Sequence, residues 1–346
     1  MMRAQTPPPR RQTGAALLLA MLIVTLVATM AGAMMWRQYR AVHIEAAERA
    51  RAQAAWVLRG SLDWARMILR EDALNNRREN MDHLGEVWAV PLAEARLSTF
   101  LAGPEANTEA GAPEAFLSGS IEDAQSRYNL RNLMAPGENA EQELRIFTRL
   151  CELAGLPGSL AQQVSTQLRA TDISTPRPSG KGDTPAEATA PPASLETLRA
   201  AAQLNPEAPL LPQRLEQLRW LGAPEAQIRR LAAWVTLLPQ ATPVNINTAP
   251  REVLAALFEG MDLSSAERLV QTRLRQPFKN LEEVSALLPN ITLKPERAAV
   301  NSSFFFVAGR LRLEQRVIEE RSLIQRRNLD IVVVQRERIS HAPHAP

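Results

Sequence analysis

Residues 15–35 read AALLLAMLIVTLVATMAGAMM, 21 residues without a charge. At 1.5 Å per residue, a helix of that length spans roughly 30 Å, the thickness of a bilayer core. No proline follows until Pro91, so nothing in the sequence breaks a helix that starts here. Beyond the run, apolar residues recur at helical spacing through Val42, Ala46, Ala50, Ala54, Leu58, Leu62, Ala65 and Leu69. Glu45, Glu48, Arg49, Arg51, Arg59, Asp63 and Arg66 occupy the other faces. The spacing predicts one helix from Ala15 to about Asn75, roughly 90 Å long, apolar all round at first and amphipathic afterwards. A plain stalk would show the same periodicity. Trp36, at the end of the run, stands where an interfacial anchor is expected.

Arg3, Arg10 and Arg11 precede the run and favour a cytoplasmic amino terminus, with Arg37 and Arg40 close behind it as the counterweight. The run exceeds the roughly 7–15 apolar residues of a removable signal. Three readings stay open. The run is an uncleaved anchor; or signal peptidase cuts at the A-x-A site Ala31–Ala33 and releases a soluble exported protein; or cleavage after Gly14 leaves the run on the mature chain. The third arrangement, RRQTG followed by AALLLAMLIV, resembles the type IV pilin and pseudopilin class. There a prepilin peptidase cuts after a glycine on the cytoplasmic side and methylates the new amino terminus. The resemblance implies processing between Gly14 and Ala15, and it makes Leu19 the fifth mature residue, where most members carry glutamate. A carboxylate at membrane depth costs about 2.5–3.5 kcal/mol, which in the class is offset by pairing with a neighbouring subunit's amino terminus. A subunit with no neighbour above it gains nothing from that charge, and a non-acidic Leu19 resembles the K-type minor pseudopilins of type II secretion.

The 346 residues suffice for two domains, or one domain with a large insertion, and 45% hydrophobic with 22% charged residues is a globular composition. A net charge of +3 is too small to argue for nucleic acid, and the dominance of arginine, 37 against three lysines, reads as compositional bias. The single Cys151 rules out an intramolecular disulfide.

Pattern and resemblance together divide the chain. Residues 1–14 read as a prepilin leader, 15–35 as the transmembrane part of the first helix, and 36–135 as the amphipathic helix and the start of the pseudopilin head. Residues 136–300 read as a helical insertion, 301–339 as antiparallel strands and 340–346 as a disordered tail. GPEANTEAGAP, 103–113, is loop composition. A short strand is expected at 116–121, turning near Glu122–Asp123, with Asp123, Asn129 and Asn132 as turn and capping groups and no catalytic role. In the insertion, helices are expected near 139–155, 158–170, 194–204, 212–220 and 224–238. A mobile loop at 171–193, with five prolines, interrupts them. VNINTAPREVLAAL then opens a further helical unit with Asn247 or Thr248 as cap and Pro250 near the first turn. From 303 to 339, alternation at Leu311, Leu313 and Val317 and the runs Phe304–Val307 and Ile331–Val334 predict three strands, with breaks at Gly309 and RRN. Trp56 and Trp64 are expected to pack against this sheet, and Trp220 and Trp234 to fill the insertion. The fold class is α+β: a pilin-like long N-terminal helix packed on a small antiparallel sheet, with a large all-α, SAM-like or helix-hairpin-helix-like insertion.

The unit at 244–288 resembles a helix-hairpin-helix. In DNA-binding versions, two turn glycines bring backbone N–H groups to phosphates. Here the turn FEGMDLSSAERL has Gly260, but Leu263 in place of the second glycine and Asp262 beside it. K-type pseudopilins carry the same kind of unit as a protein-contact module, and their VN-NTA opening matches Val244 to Ala249. The resemblance also implies a calcium site, since the subfamily carries an acidic run of hard oxygen ligands in this insertion. In VSTQLRATD, Thr166, Arg169 and Thr171 replace the acids and Asp172 alone remains, with Asp183 and Glu187 following. The motif is degraded here, and no metal ligand or cofactor is assigned. No G-x-S-x-G, H-E-x-x-H, P-loop or C-x-x-C occurs. Cys151 reads as a buried thiol, and His43 and His83 have no partner acids at motif spacing. No catalytic residue is assigned.

The resemblance to the K subfamily runs along essentially the whole chain. It implies a structural subunit in the bacterial inner membrane, single-pass, with its head in the periplasm. It implies assembly at the tip of the pseudopilus with the minor pseudopilins I and J, and H with them. The prepilin peptidase and the inner-membrane secretion platform are further partners, with secreted substrates and the outer-membrane secretin beyond them. The alternative is a membrane-anchored, competence-type DNA receptor, which also pairs one span with a helix-hairpin-helix unit and leaves the terminal strands without a role.

Overall fold

The computed structural model describes residues 13–76, 80–97, 115–173, 209–288, 291, 293–313 and 316–341. The chain forms two compact units, Met1–Arg59 and Gly60–Pro346. Helix α1 covers Thr13–Asn75, 63 residues without interruption, and ends where the periodicity predicts.

In the first unit every residue of the uncharged run is exposed. The hydroxyls of Thr25 and Thr29 donate to carbonyls one turn back, those of Met21 and Leu22 and that of Leu26, at 2.9–3.0 Å. Both hydroxyls are thereby satisfied within the helix, which a lipid environment requires. Past the run, Arg49 pairs with Glu45 at 2.8 Å and Arg51 with Glu48 at 2.7 Å, surface pairs worth about 0.3–0.5 kcal/mol each.

The second unit continues from Gly60. It contains β1 (Leu92–Arg96), β2 (Ala115–Asp123), β3 (Tyr128–Asn129), α2 (Glu138–Leu153), α3 (Gly158–Ile173), α4 (Glu225–Leu231), β4 (Val235–Thr236) and β5 (Val244–Asn245). Then come α5 (Arg251–Leu257), α6 (Leu263–Arg275), α7 (Leu281–Leu287), β6 (Ala298–Ala299), β7 (Phe304–Leu313), β8 (Arg316–Arg327) and β9 (Asp330–His341). Five strands make one antiparallel sheet in the order β1-β2-β7-β8-β9. Leu62, Ala65 and Leu69, spaced i, i+3, i+7 on α1, are buried against Phe305, Val307, Ile324 and Ile331 of that sheet. Each leucine so buried contributes about 1.5–3 kcal/mol.

Strands β2 and β7 lie side by side, from Ala115 opposite Leu313 to Asp123 opposite Phe305. Everything from Ala124 to Ser303 is therefore a connection between two adjacent strands. It has its own core, in which Tyr128, Phe147, Leu150, Leu168, Leu218 and Leu254 are fully buried.

Several expectations need correction. The three expected C-terminal strands form, and the strand expected at 116–121 runs from Ala115 to Asp123 beside them; Leu92–Arg96 is a fifth strand that the sequence did not announce. Gly309 is no break: it lies inside β7, opposite Gly119 of β2 and Glu320 of β8. RRN does mark a turn, and Asn328 has φ +54°, which a two-residue hairpin needs. Helix 224–238 stops at Leu231, and Val235–Thr236 pair in parallel with Tyr128–Asn129. β-branched residues that meet a ready partner strand leave the helix. The segment near 212–220 is a 3-10 turn, Leu215–Leu221, stopped by Gly222 at φ +83°. Helix α3 runs to Ile173, so the expected loop at 171–193 does not begin at 171. The rest of that loop, Asp183, Glu187 and the helix expected at 194–204 lie outside the described residues. The tail does not begin at 340, because Ser340 and His341 finish β9. Pro250, not Asn247 or Thr248, precedes the first turn of α5. Trp56 and Trp64 are largely exposed, at 71% and 45%, and Trp220 is 44% exposed. The tryptophan that packs on the sheet is Trp88, 1% exposed, edge-on to Phe305 with ring centroids 5.3 Å apart.

Candidate functional site

Gly14, Ala15 and Leu19 all fall in the first two turns of α1. Ala15 and Leu19, four residues apart, share a face of that helix, and the Leu19 side chain is exposed.

In the second unit the VNINT segment is a tie between layers. Asp123 ends β2 and is 3% exposed. Its Oδ1 accepts from the Gln125 N–H at 2.8 Å, the turn role expected of it. Its Oδ2 accepts from Asn245 Nδ2 at 3.0 Å, Thr248 Oγ1 at 2.5 Å and Ser302 Oγ at 2.7 Å. Burial raises the Asp123 carboxyl to about 6, although its bonds from Thr248 and Ser302 pull it down. Asn245 Nδ2 also donates to the Asp82 carbonyl at 3.1 Å, and Asn247 brackets Phe278 by bonding both its N–H and its C=O. Asn129 is a turn former only in part, and the Asn132 side chain is none. Asn129 accepts from Arg131 N–H and also from Leu238 N–H, while Asn132 pairs both ways with the Thr242 backbone. The polar residues that read as caps hold the insertion's strands and loops together.

The line of contacts continues outward. Ser302 N–H donates to Asp82 Oδ2 at 2.7 Å, and Asp82 faces Arg326 of β8. Arg326 Nη1 donates to Asp72 Oδ2 of α1 at 2.9 Å, its Nη2 donates to both Asp82 oxygens and to the Ser302 carbonyl, and its plane lies 4.9 Å from the Phe305 centroid. Asp72, Asp82 and Glu86 approach within 4.8 Å of one another; the cation that satisfies two of them is this arginine. Burial, and then repulsion from Glu86 and Asp82, raise Asp72 to about 7 despite Arg326.

Beside these ties lies an open apolar groove of about 310 Å³. Trp64 and Ile68 of α1 form one wall, Val87, Val90 and Pro91 the opposite one, and the middles of β2 and β7 the floor. Gly119 and Gly309 face each other in that floor and contribute no side chain. A Cβ on Gly119 would sit 2.9 Å from the Ala308 carbonyl oxygen, so glycine is required there. Val87 and Val90 are 78% and 68% exposed, an arrangement expected of a surface that awaits a partner.

The described side chains of the VSTQLRATD segment do not fit calcium. Arg169 donates to the Leu133 and Ala140 carbonyls at 2.8 and 3.1 Å, so this segment presents a guanidinium, which opposes a divalent cation. Thr171 donates to Leu168 of its own helix at 2.6 Å, and Thr166 is exposed. In the helix-hairpin-helix-like unit, Gly260 takes φ +81°. Asp262 caps α6 by accepting from Ser265 N–H at 2.8 Å, and those Ser265 bonds hold its carboxyl below the usual range. A carboxylate thus occupies the helix N-terminus that a phosphate would need. The Cys151 thiol is fully buried, and that burial pushes it up to about 12, far from a nucleophile's range. Sequence reasoning did not single out Asp72, Asp82, Arg326 or the groove; their partners are too far apart in the chain to form a motif.

An exposed apolar helix of membrane-spanning length, followed by a helix-on-antiparallel-sheet head, defines a pilin-like class. Residues 126–240 and 244–303 match the family described as Type II secretion system (T2SS), protein K. A Klebsiella pneumoniae type II secretion system protein K is 30% identical over 349 residues, covering 94% of this chain and 96% of that protein. Its Pseudomonas aeruginosa counterpart is 29% identical, covering 94% and 90%. The crystal structure of the GspK-GspI-GspJ complex from enterotoxigenic Escherichia coli contains a chain of the same fold, with a TM-score of 0.59 at 18% identity over 85% of this chain and 99% of that one. The chain belongs to the type II secretion system protein K family, the K-type minor pseudopilins, whose members are structural subunits of protein secretion.

Proposed function

We propose that this pseudopilin is the tip subunit of the type II secretion pseudopilus and starts its assembly with the minor pseudopilins I and J, and H with them. It works as a structural element and not a catalyst. Residues 1–14 are its leader, cut between Gly14 and Ala15 by prepilin peptidase. Residues 15–35 cross the inner membrane from a cytoplasmic amino terminus, and the inner-membrane platform takes up the assembled subunit. Contacts with secreted substrates and the outer-membrane secretin would follow from a place at the tip. The helical unit at 244–288 serves protein contacts, because Asp262 disfavours the phosphate approach that a DNA receptor needs.

The observation that carries this reading is the Ala124–Ser303 connection between two neighbouring strands. A mass of some half of the chain, set on one part of the sheet, would collide with the next subunit in a regular stack and has room only at an end. Leu19 supports it independently, since a terminal subunit has no neighbour's amino terminus to pair with a buried carboxylate. The relative in the solved complex sits with I and J, and we assign the Trp64–Val90 groove to contact with that pair.

Two results test this. Gly14→Ala is expected to abolish maturation, so that intact mass shows the leader retained, whereas the parent chain begins at a methylated Ala15. Val90→Glu is expected to weaken co-purification with I and J at least tenfold and leave the melting temperature unchanged, because Val90 is largely in water and loses nothing on its own. Undiminished co-purification would remove the groove from the interface; normal maturation of the Gly14 variant would remove the leader.

A further inference from the structure

The insertion carries a second cavity, of about 370 Å³, between α2 and the segments after α5 and around Lys294. It shares no residue with the groove or the anchor. Its charge is unbalanced. Arg297 also lines it, but Arg297 is spent: its Nε donates to the buried Glu143 at 2.7 Å and its Nη2 to Asn139 at 3.1 Å. Arg145 has only a loose pair with Glu141 at 3.9 Å. Arg149 uses Nε on the Ala256 carbonyl at 2.8 Å, and its terminal nitrogens make none of the hydrogen bonds or ion pairs of the described residues. Lys294 is exposed and likewise makes no such bond. Glu259 is the single carboxylate among the lining residues. Burial, with repulsion from Arg145, pulls Arg149 below its ordinary value, partly offset by Glu259. Within the lining three cations thus face one carboxylate, with Glu141 beside Arg145 and Glu152 acting on Arg149 from outside it, an arrangement that favours the entry of an anion.

Two further features say what kind of anion. Ile146 and Phe258 supply an apolar floor. Gln142 Oε1, from the same lining, is buried and has no hydrogen-bond partner; it requires a donor. A free carboxylate brings acceptors alone, and a free phosphate brings P–OH donors but no apolar group for the floor. A peptide brings a carboxylate for the cations, an N–H for Gln142 and an apolar side chain for the floor. We infer that this cleft binds an acidic peptide segment of a partner protein, with Arg145, Arg149 and Lys294 on its carboxylates.

The test uses the full-length protein in detergent and a fluorescein-labelled peptide, Asp-Glu-Leu-Asp-Glu, followed by anisotropy. Saturable binding is expected that weakens steeply between 50 and 300 mM salt. Arg145→Glu combined with Lys294→Glu is expected to weaken it at least tenfold while the melting temperature holds, because both side chains are solvent-facing. The doubly reversed protein should instead take up Lys-Arg-Leu-Lys-Arg. Equal binding of the acidic peptide to parent and variant, or no binding at 50 mM salt, overturns the inference. So does inorganic phosphate that competes as well as the unlabelled peptide, since the cleft would then be a simple anion site. The amide peptide Asn-Gln-Leu-Asn-Gln is expected not to bind, and its binding as tightly as the acidic one would equally defeat the inference.

Discussion

Arg326→Met is expected to lower the stability of the second unit by about 3–5 kcal/mol, the usual result of removing one partner from a buried ionic group. The Arg326 side chain is 11% exposed, and those of Asp72 and Asp82 are 12% and 2% exposed. Methionine roughly conserves the volume and the contact with Phe305 but leaves two buried carboxylates with Glu86 nearby and no cation. For a unit of this size the melting temperature should fall on the order of 10 °C. The loss should also depend on pH. Asp72 is raised to about 7 with the arginine in place, and a raised carboxylate stabilises the fold below its ordinary value and loses that contribution as pH rises through the raised one. Without Arg326 the rise is greater, so the deficit should grow from pH 5 to pH 8. Arg326→Met with Asp72→Asn should recover part of it at pH 8. A deficit that is equal at both pH values would show that the arginine acts by packing alone.

The extent of α1 was legible because helical periodicity is local: with no proline before residue 91, the apolar spacing carries to Asn75. Phe304–Val307 and Ile331–Val334 were legible as strands for the same reason, each pattern being complete within a few residues. Gly309 was misread as a break because its meaning depends on Gly119, 190 positions away. Val235–Thr236 were misread as helix because the partner that draws them into a strand is Tyr128–Asn129. Trp64 was expected to pack against the sheet, but the periodicity could not say that Gly119 and Gly309 would leave a groove there and Trp64 45% exposed at its edge. Asp123, Asn129 and Asn132 were recognised as polar turn residues, and the first two make local turn bonds, to Gln125 and Arg131, whereas the Asn132 side chain makes only long-range ones. Their long-range bonds, which carry the greater energetic weight, lie outside any sequence window.

Asp123→Ala is expected to have an effect as large as the loss of Arg326, by a different route. Four buried donors lose an acceptor: the Gln125 N–H, Asn245 Nδ2, Thr248 Oγ1 and Ser302 Oγ. Each unsatisfied buried group costs about 1–3 kcal/mol. Asn245 retains Asp82 O and Ser302 Oγ, and Thr248 retains a longer contact to Asn245 O at 3.4 Å. The sum should therefore settle near 3–5 kcal/mol rather than the full four-group cost. Because Asp123 joins the end of β2 to the VNINT segment and to Ser302 at the start of β7, this loss should uncouple the insertion from the sheet. Calorimetry of the variant should show two transitions where the parent shows one; a single transition at the parent's temperature would mean that the junction fills space and ties nothing. Asp123→Asn separates the charge from the shape. The Thr248 and Ser302 hydroxyls can turn to accept from the new amide, whereas the Asn245 amide cannot, so the cost should be smaller, about 1–3 kcal/mol. It should also vary with pH in a fixed sense. The parent carboxyl, raised to about 6, stabilises the fold at low pH and loses that contribution as pH climbs through 6. The asparagine variant has no such slope, so its deficit against the parent should be larger at pH 5 than at pH 7.5. The opposite order would mean that the ionised carboxylate, not the protonated one, is what the four donors prefer.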